Sequence, residues 1–557
     1  MQTHKTSKAG LIAYVALFLV FLYVPLLAML SGVGSVSRKD FIHQESREPH
    51  ALTRENFQWR SAHELPSAVE QWYNDHFGLR PYLVTLWARC LYALGDSLQP
   101  SVMFGDHGYF HYDYELDNYR NVEPKAERFA GQVADALAAR HQWLKRRSVD
   151  FVFFAAPVKS SIYPESVPAW AREKVGDKSM LDRVMAKCRE RGVPAVDLRP
   201  ALLAAKAQYG EFLYFKTDYH WSNLGAWVAY QELITRHIAQ RFPNVRPIAL
   251  RDYDAAYGPS QGNQARWARL NGFVPDFYDR ETLLFEEPER LTSVHTQTPA
   301  GVPSVLTQLR DTADVFVSGE TRAPSLLLLG DSFTWPMANL LYATFSYSAQ
   351  RTVNDSRFSE AAEEMAGLVR LYRPSVVLLE RIETQLTHLG KIHPAWASPV
   401  FDAVESKGVY EGLPVPPVVL RDSDLTSRVT GSTSVTDAAR APGFTVASGA
   451  HTRLHGFPSQ PGGEKDSLIF RVDLEATGEA TLRVLRERGG TEAPVLCTSA
   501  GVTAGRQVLY FEILNAVRQP DLDLTFVCDG APYRVEAIAA KVCPAELVIN
   551  YATPSAG

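Results

Sequence analysis

The sequence contains no Cys-x-x-Cys pair, no His-Glu-x-x-His and no phosphate loop of the form GxxxxGK[ST]. Structural zinc sites, zincin-type proteolysis and P-loop nucleotide hydrolysis therefore lack their anchoring residues, and neither a metal nor a cofactor is expected. Cysteine is scarce, five in 557 residues, which excludes a disulfide-dense scaffold. Basic excess is lacking too: 57 Lys and Arg face 62 Asp and Glu, for a net charge of -5 and a pI of about 6.3. No nucleic-acid partner is expected of such a surface. What remains is globular composition, 46% hydrophobic and 21% charged, with 35 Gly and 34 Pro. At roughly 150 residues per domain the length allows three or four units, or two large ones.

Charge is absent from Leu11 to Leu30, and this stretch is apolar throughout. At 1.5 Å per helical residue it spans about 30 Å, the thickness of a bilayer core. Lys5 and Lys8 precede it and the next charge is Arg38, so the positive-inside rule keeps the N-terminus in the cytoplasm. Residues 1–35 are read as a transmembrane anchor, with a cleaved signal peptide as the rival reading. Either way the body lies outside the cytoplasm, and the favoured placement is a single-pass inner-membrane protein with its body in the periplasm. Residues 36–65 read as a linker.

Residues 66–95 have helical spacing broken by Gly78 and Pro81, and 124–147 form an amphipathic pattern. Apolar strands are predicted at 149–157, 193–198, 325–332 and 374–380, with helices between them, as at 177–191. Strands alternating with helices predict an α/β domain over 66–418, with a doubly wound parallel sheet covered on both faces. After Pro417 the texture changes to short alternating runs separated by Gly, Pro and Asp turns. Residues 425–557 are predicted to form an antiparallel β-sandwich, jelly-roll-like.

Two short motifs carry chemistry. Gly330-Asp331-Ser332-Phe333 follows four leucines directly, which puts Ser332 at the C-terminal end of a buried strand. In a doubly wound sheet that edge is where ligands bind, and a helix opening there presents backbone N–H groups to an oxyanion. The second motif, Asp218-Tyr219-His220-Trp221, spaces a carboxylate two residues from an imidazole. A bend lets Asp218 hold one ring nitrogen while the other faces Ser332. Taken alone, each motif also fits an ordinary capped turn or a packed loop.

Together, and in this chain order, the two motifs resemble the SGNH hydrolase-like polysaccharide O-acetyltransferases of the AlgJ/AlgX family. Four further stretches carry the resemblance: Asn74–Arg80, Gly105–Phe110, Ala156–Pro164 and Arg373–Glu380. It covers residues 66–385, and the C-terminal region is similar in position and texture to the carbohydrate-binding module of AlgX. The chain departs from the family at Tyr219, expected to alter only the loop surface, and at Gln261-Gly262-Asn263-Gln264, which replaces a Gly-Asp-Leu stretch.

The resemblance implies an SGNH-like fold and an acetyl-serine route with catalytic Ser332, His220 and Asp218. It implies an exported polysaccharide as acceptor, and as partner a membrane-bound O-acyltransferase that hands acetyl groups across the membrane. An acetylesterase with the same triad is the close alternative, and a non-catalytic glycan-binding scaffold of an export complex is the other.

Lys159, Ser160 and Asn223 are candidate oxyanion donors. Trp221, Trp335, Tyr342 and Tyr347 are candidates to line a glycan groove, with core packing the competing role. Arg80 would hold an anionic substrate or pair with a carboxylate. Arg471, Arg483, Arg486 and Arg488 are candidates to face an anionic chain, against a plain solvated role. Cys497 and Cys528 are a candidate disulfide.

Overall fold

The computed structural model describes residues 8–33, 37–45, 47–58, 63–285, 291–294, 313–319, 322–352, 365, 367–369, 371–390, 403–421, 428–431, 443–458, 467–486, 495–513 and 521–543. Three parts follow one another along the chain. An apolar N-terminal helix and short helices lead into a three-layer α/β domain, and a two-sheet β-sandwich follows.

Helix α1 (Lys8–Ser31) carries the charge-free run, and its Gly10–Ser31 portion is long and apolar enough to cross a membrane. It is followed by α2 (Arg38–Glu45), α3 (Leu65–His76) and α4 (Arg80–Ala93). The break between α3 and α4 falls where the sequence places it. Leu79 adopts a left-handed conformation (φ 67°) and Pro81 opens the next helix. Asp75 accepts hydrogen bonds from Arg47 and from the backbone and ring of His50, pinning the segment that follows α2.

The central sheet has seven strands, in the order Ala195–Asp197, Asp150–Ala156, Val376–Ile382, Leu326–Gly330, Tyr347–Thr352, Asp314–Val317 and Thr292–Ser293. The first five run parallel. The last two are antiparallel additions at one edge, so the all-parallel expectation is corrected to a mixed sheet. Tyr347–Thr352 and the two added strands lack long apolar runs, which is why periodicity does not reveal them.

The strand residues alternate between two cores, as the twofold period of a strand requires. Phe151, Phe153, Leu327, Leu329, Val377 and Leu379 pack on one face, against helices Ala126–Lys145 and Met180–Glu190. Val152, Phe154, Leu326, Leu328, Val376 and Leu378 pack on the other, against Asn223–Leu233 and Trp335–Thr344. Each such side chain contributes roughly 1.5–3 kcal/mol of transfer free energy. Both faces being apolar, the strands read in sequence as continuous hydrophobic runs.

Among the described residues the C-terminal part consists of two antiparallel sheets of five strands each, closed over a shared core that includes Phe444, Phe470, Leu482, Phe511, Leu524 and Phe526. The sandwich begins earlier than residue 425. Strand Val418–Arg421 pairs with Tyr533–Cys543, and helix Ala403–Gly412 buries Val409 and Tyr410 against Ile469, Tyr510 and Ala539.

Cys497 and Cys528 lie on the two strands that flank Ala480–Arg486. Two inter-strand spacings, about 10 Å, exceed disulfide reach, so the expected Cys497–Cys528 bridge is not formed. Arg483 and Arg486 are buried rather than turned to solvent. Arg483 pairs with Asp529 and Arg471 with Asp473, and Arg488 lies outside the described residues.

A cavity of about 750 Å³ separates the two large parts, lined by Arg147, Asp150, Phe242, Arg373, Thr498 and Tyr510 among others. It sits at the N-terminal ends of the parallel strands, the edge opposite Ser332.

Candidate active site

Strand Leu326–Gly330 is fully buried and ends at the turn that carries Ser332. Gly330 is required there. A Cβ on it would meet Thr334 Cγ2 at 2.4 Å and Glu380 Oε2 at 2.8 Å. Asp331 caps the turn by accepting the Phe333 N–H at 2.9 Å through Oδ1, while its Oδ2 accepts the Ile382 N–H at 3.0 Å. Its own N–H donates to Glu380 Oε2 at 2.9 Å. Burial and the charge of Asp331 push the Glu380 carboxyl well above the usual range. The Ser332 N–H occupies the first position of the turn, where no intrahelical acceptor exists.

His220 comes from the second motif. Ser222 caps helix Asn223–Leu233 by accepting the Gly225 N–H at 3.1 Å, which fixes the chain two residues after His220. Trp221 is fully buried, lies edge-on to Phe333 and donates its indole N–H to Phe333 O at 3.0 Å. That bond ties the histidine loop to the serine turn, 112 residues apart in sequence.

The three side chains form one line. Asp218 Oδ1 lies 2.7 Å from His220 Nδ1, and His220 Nε2 lies 2.8 Å from Ser332 Oγ. Asp218 also accepts the His220 N–H at 3.0 Å and, through Oδ2, the Asn263 N–H at 2.8 Å. Burial opposes the Asp218 charge, but the hydrogen bonds and the attraction of His220 outweigh it and hold the carboxyl at about 2. An ionised Asp218 fixes the Nδ1–H tautomer and leaves Nε2 to accept the serine proton. The arrangement can activate a hydroxyl for attack on an ester or acyl carbonyl.

The other expected site residues have different positions. Lys159 is fully buried, and its ammonium donates to Gln264 Oε1 at 2.6 Å, Asp218 O at 2.8 Å and Lys216 O at 3.0 Å. It buttresses the loop under the triad instead of facing a substrate, which corrects both the oxyanion role and the surface alternative. Ser160 is buried and its N–H is spent on Glu115 Oε1 at 3.1 Å. The Asn223 N–H donates to Glu281 Oε2 at 3.0 Å.

Trp335 is 60% exposed, three residues beyond the serine, and stays available to a ligand. Tyr342 is core, stacked on Phe316 at 4.1 Å, and Tyr347 is half-buried in its strand. Arg80 pairs with Glu45 at 2.9 Å, so the carboxylate reading holds for it.

Three contributors escape the sequence reading. Gly262 packs so tightly that a Cβ would lie 2.1 Å from Thr217 O. Asn263 supplies the N–H to Asp218 and accepts the Tyr219 N–H at 3.1 Å. Gln264 receives Lys159. The stretch Gln261–Gln264 is thus a support of the triad, and a Gly followed by an amide pair was its only signal. Tyr219 is buried, not superficial. Its hydroxyl meets Thr384 Oγ1 at 2.7 Å and its ring lies edge-on to Phe333 and Tyr112.

A Ser–His–Asp line at the C-terminal edge of a mainly parallel sheet is an arrangement suited to nucleophilic acyl chemistry. Comparison with known proteins narrows the class. Residues 102–355 match the family described as SGNH hydrolase-like domain, acetyltransferase AlgX.

Curated relatives include the probable alginate O-acetylase AlgJ of Pseudomonas aeruginosa, 27% identical over 275 residues, 48% of this chain and 64% of that protein. The protein of the same name from Pseudomonas syringae pv. tomato is 29% identical over 240 residues, 42% and 53% of the two chains. The chain therefore spans between about half and two thirds of the length of these relatives.

Among solved structures, the O-acetyltransferase domain of Pseudomonas putida AlgJ aligns over 53% of this chain and 97% of its own. The identity is 18% and the TM-score 0.35. Pseudomonas aeruginosa AlgX aligns over 79% and 94%, with 13% identity and a TM-score of 0.36.

Proposed function

We propose that this protein is an O-acetyltransferase that moves acetyl groups onto hydroxyls of an exported polysaccharide through an acetyl-Ser332 intermediate. The observation that carries this reading is the unbroken line from Asp218 through His220 to Ser332, with contacts of 2.7 and 2.8 Å. In the first half-reaction His220 Nε2 takes the Ser332 proton as Oγ attacks the acetyl carbonyl. The developing negative charge faces the Ser332 N–H, and the donor's leaving group departs with the proton from His220. In the second half, a sugar hydroxyl gives its proton to His220 and attacks the acetyl-serine. Ester formation frees Ser332, which regains the proton. Asp218 stays ionised throughout and stabilises the imidazolium of both half-reactions.

The wider arrangement belongs to the same proposal. Helix α1 anchors the chain in the inner membrane and the body lies in the periplasm. A membrane-bound O-acyltransferase supplies acetyl groups. The region over 66–418 is the catalytic unit. The C-terminal sandwich, jelly-roll-like, holds the glycan weakly and raises its concentration at Ser332. The two antiparallel sheets, the apolar length of α1 and the alginate acetylases among the relatives support this reading.

The test is mass spectrometry of the protein after incubation with an activated acetyl ester. One acetyl group on the peptide containing Ser332 is expected, with none in the Ser332→Ala variant. Acetylation that survives in S332A at a rate within tenfold of the wild type refutes the assignment.

A further inference from the structure

Helix α4 is apolar over most of its circumference, yet the protein covers only one side of it. Ala88 is buried, and Tyr92 packs with Val102, Phe110 and Ala265 in the small core beneath the helix. At 100° per residue, Tyr82, Leu83, Leu86, Trp87, Cys90, Ala93 and Leu94 fall on one continuous arc of roughly 140°. That arc is open: Tyr82 is 66% exposed, Leu86 58%, Trp87 56% and Leu94 79%. Arg89 flanks it, exposed, with its guanidinium 4.5 Å from the ring of Phe273. Tyr73 of α3 is also exposed. An apolar helix face of this size ordinarily has an occupant.

The occupant follows from where α4 starts. Gly78, at the corner between α3 and α4, lies against the end of α1. A Cβ on Gly78 would sit 2.0 Å from Pro25 O, 2.6 Å from Met29 N and 2.9 Å from Ala28 Cβ. Pro25 and Ala28 are the positions of α1 that the body buries, while Leu11 to Val24 stay exposed. Pro25 and Met29 lie six and two residues from the end of α1, about 9 and 3 Å along its axis. If Leu11–Leu30 fills the hydrocarbon core, the corner sits just inside its outer boundary, and interfacial helices bury their apolar faces to about that depth, about 5–10 Å. Tyr82 and Trp87 are the residue types that settle at this depth. A cavity of about 460 Å³ opens at the same corner, lined by Met29, Leu30, Phe41, Trp72 and Phe77 among others.

We infer that α4 is an interfacial helix. Its Tyr82–Leu94 face lies in the outer leaflet beside the exit of α1 and fixes the catalytic body against the membrane surface. The inference rests on α1 being the anchor.

Cys90 provides a probe, since it is exposed on this face and the other four cysteines are buried. The full chain is reconstituted in vesicles of phosphatidylethanolamine and phosphatidylglycerol, with a polarity-sensitive fluorophore on Cys90. A second sample carries the same fluorophore at Leu17→Cys in a Cys90→Ala background. The expected result is blue-shifted emission from Cys90, quenched by shallow nitroxide lipids and shielded from iodide. The shift should be lost in Leu86→Glu/Trp87→Glu. If the Leu17→Cys label is quenched by lipid while the Cys90 label is quenched only by iodide, the anchor stands and the interfacial helix is overturned. The face would then fit a protein partner. If neither label meets lipid, the anchor reading fails and this inference fails with it.

Discussion

Lys159 separates two accounts of the same residue. As an oxyanion donor it would act only on developing charge. As placed here, its ammonium holds Asp218 O, Lys216 O and Gln264 Oε1 in a site closed to solvent. Lys159→Met keeps the volume and removes the donors, orphaning Gln264 Oε1 and Asp218 O, while Lys216 O keeps the Phe110 N–H. At about 1–3 kcal/mol each the gross penalty is about 2–6 kcal/mol. The variant no longer buries an ammonium, which returns part of this. A net loss of about 1–3 kcal/mol is expected, which at 2–4 °C per kcal/mol lowers the melting temperature by about 5 °C.

The loop that carries Asp218 and His220 loosens at the same time, so turnover of an acetyl ester also falls. The assay pairs a thermal melt with ester kinetics on one preparation. An unchanged melting temperature with a rate loss on the order of 10²–10³-fold is the signature of a lost oxyanion donor and would refute the buttress.

Three further outcomes are expected. His220→Ala should lower acetyl-ester turnover by several orders of magnitude and Asp218→Asn by less, because the orienting carboxylate is the cheaper loss; equal kcat values for D218N and wild type would remove Asp218 from the mechanism. Glu380→Gln keeps an acceptor for the Asp331 N–H and should melt within a few degrees of wild type, whereas Glu380→Leu orphans that N–H and costs about 1–3 kcal/mol; a Gln variant as unstable as the Leu variant would show that the acceptor is not what Glu380 supplies. The Asp218 carboxyl, held at about 2 against an ordinary value near 4, contributes stability that is complete above about pH 4. That contribution, about 2 kcal/mol, drains as pH falls toward 2. Denaturation midpoints of wild type and D218N should therefore converge over that interval and stay a constant distance apart above it.

The parts of the fold legible in sequence are those with an unambiguous period. Strands Asp150–Ala156, Leu326–Gly330 and Val376–Ile382 are buried on both faces and appear as apolar runs. The hairpin Leu250–Pro259 with Pro275–Phe285 was not, because its residues mix charge and aromatics over three register shifts. Ser332, His220 and Asp218 were legible because acyl transfer needs those residue types at a strand end and in a bend. Their supports were not. Lys159, Gln264 and Glu115 act through side chains brought together across 105 and 45 residues of chain, and no local pattern encodes such a meeting. Burial of Arg483 and Arg486 was equally invisible, since an alternating strand shows which residues share a face but not which face is covered.

The four stretches that flank the two motifs each hold backbone or a side chain of another segment. Asp75 and Arg80 fasten the segment after α2. Phe110 N–H donates to Lys216 O at 2.8 Å and so continues toward the histidine loop. Lys159 lies under that loop, and Glu380 reaches across the sheet to the serine turn. Phe110, Lys159 and Glu380 thus hold backbone beside the triad, and proximity is worth several kcal/mol of barrier only while reacting atoms stay within about 3–3.5 Å.

The Gln261–Gln264 stretch shows how much of this is backbone chemistry. Gly262 grants close approach to Thr217, and the bond that holds Asp218 is the amide of Asn263, which any residue but proline supplies. A sequence can therefore depart from its relatives at this loop and keep the carboxylate in place, provided the glycine and the amide remain.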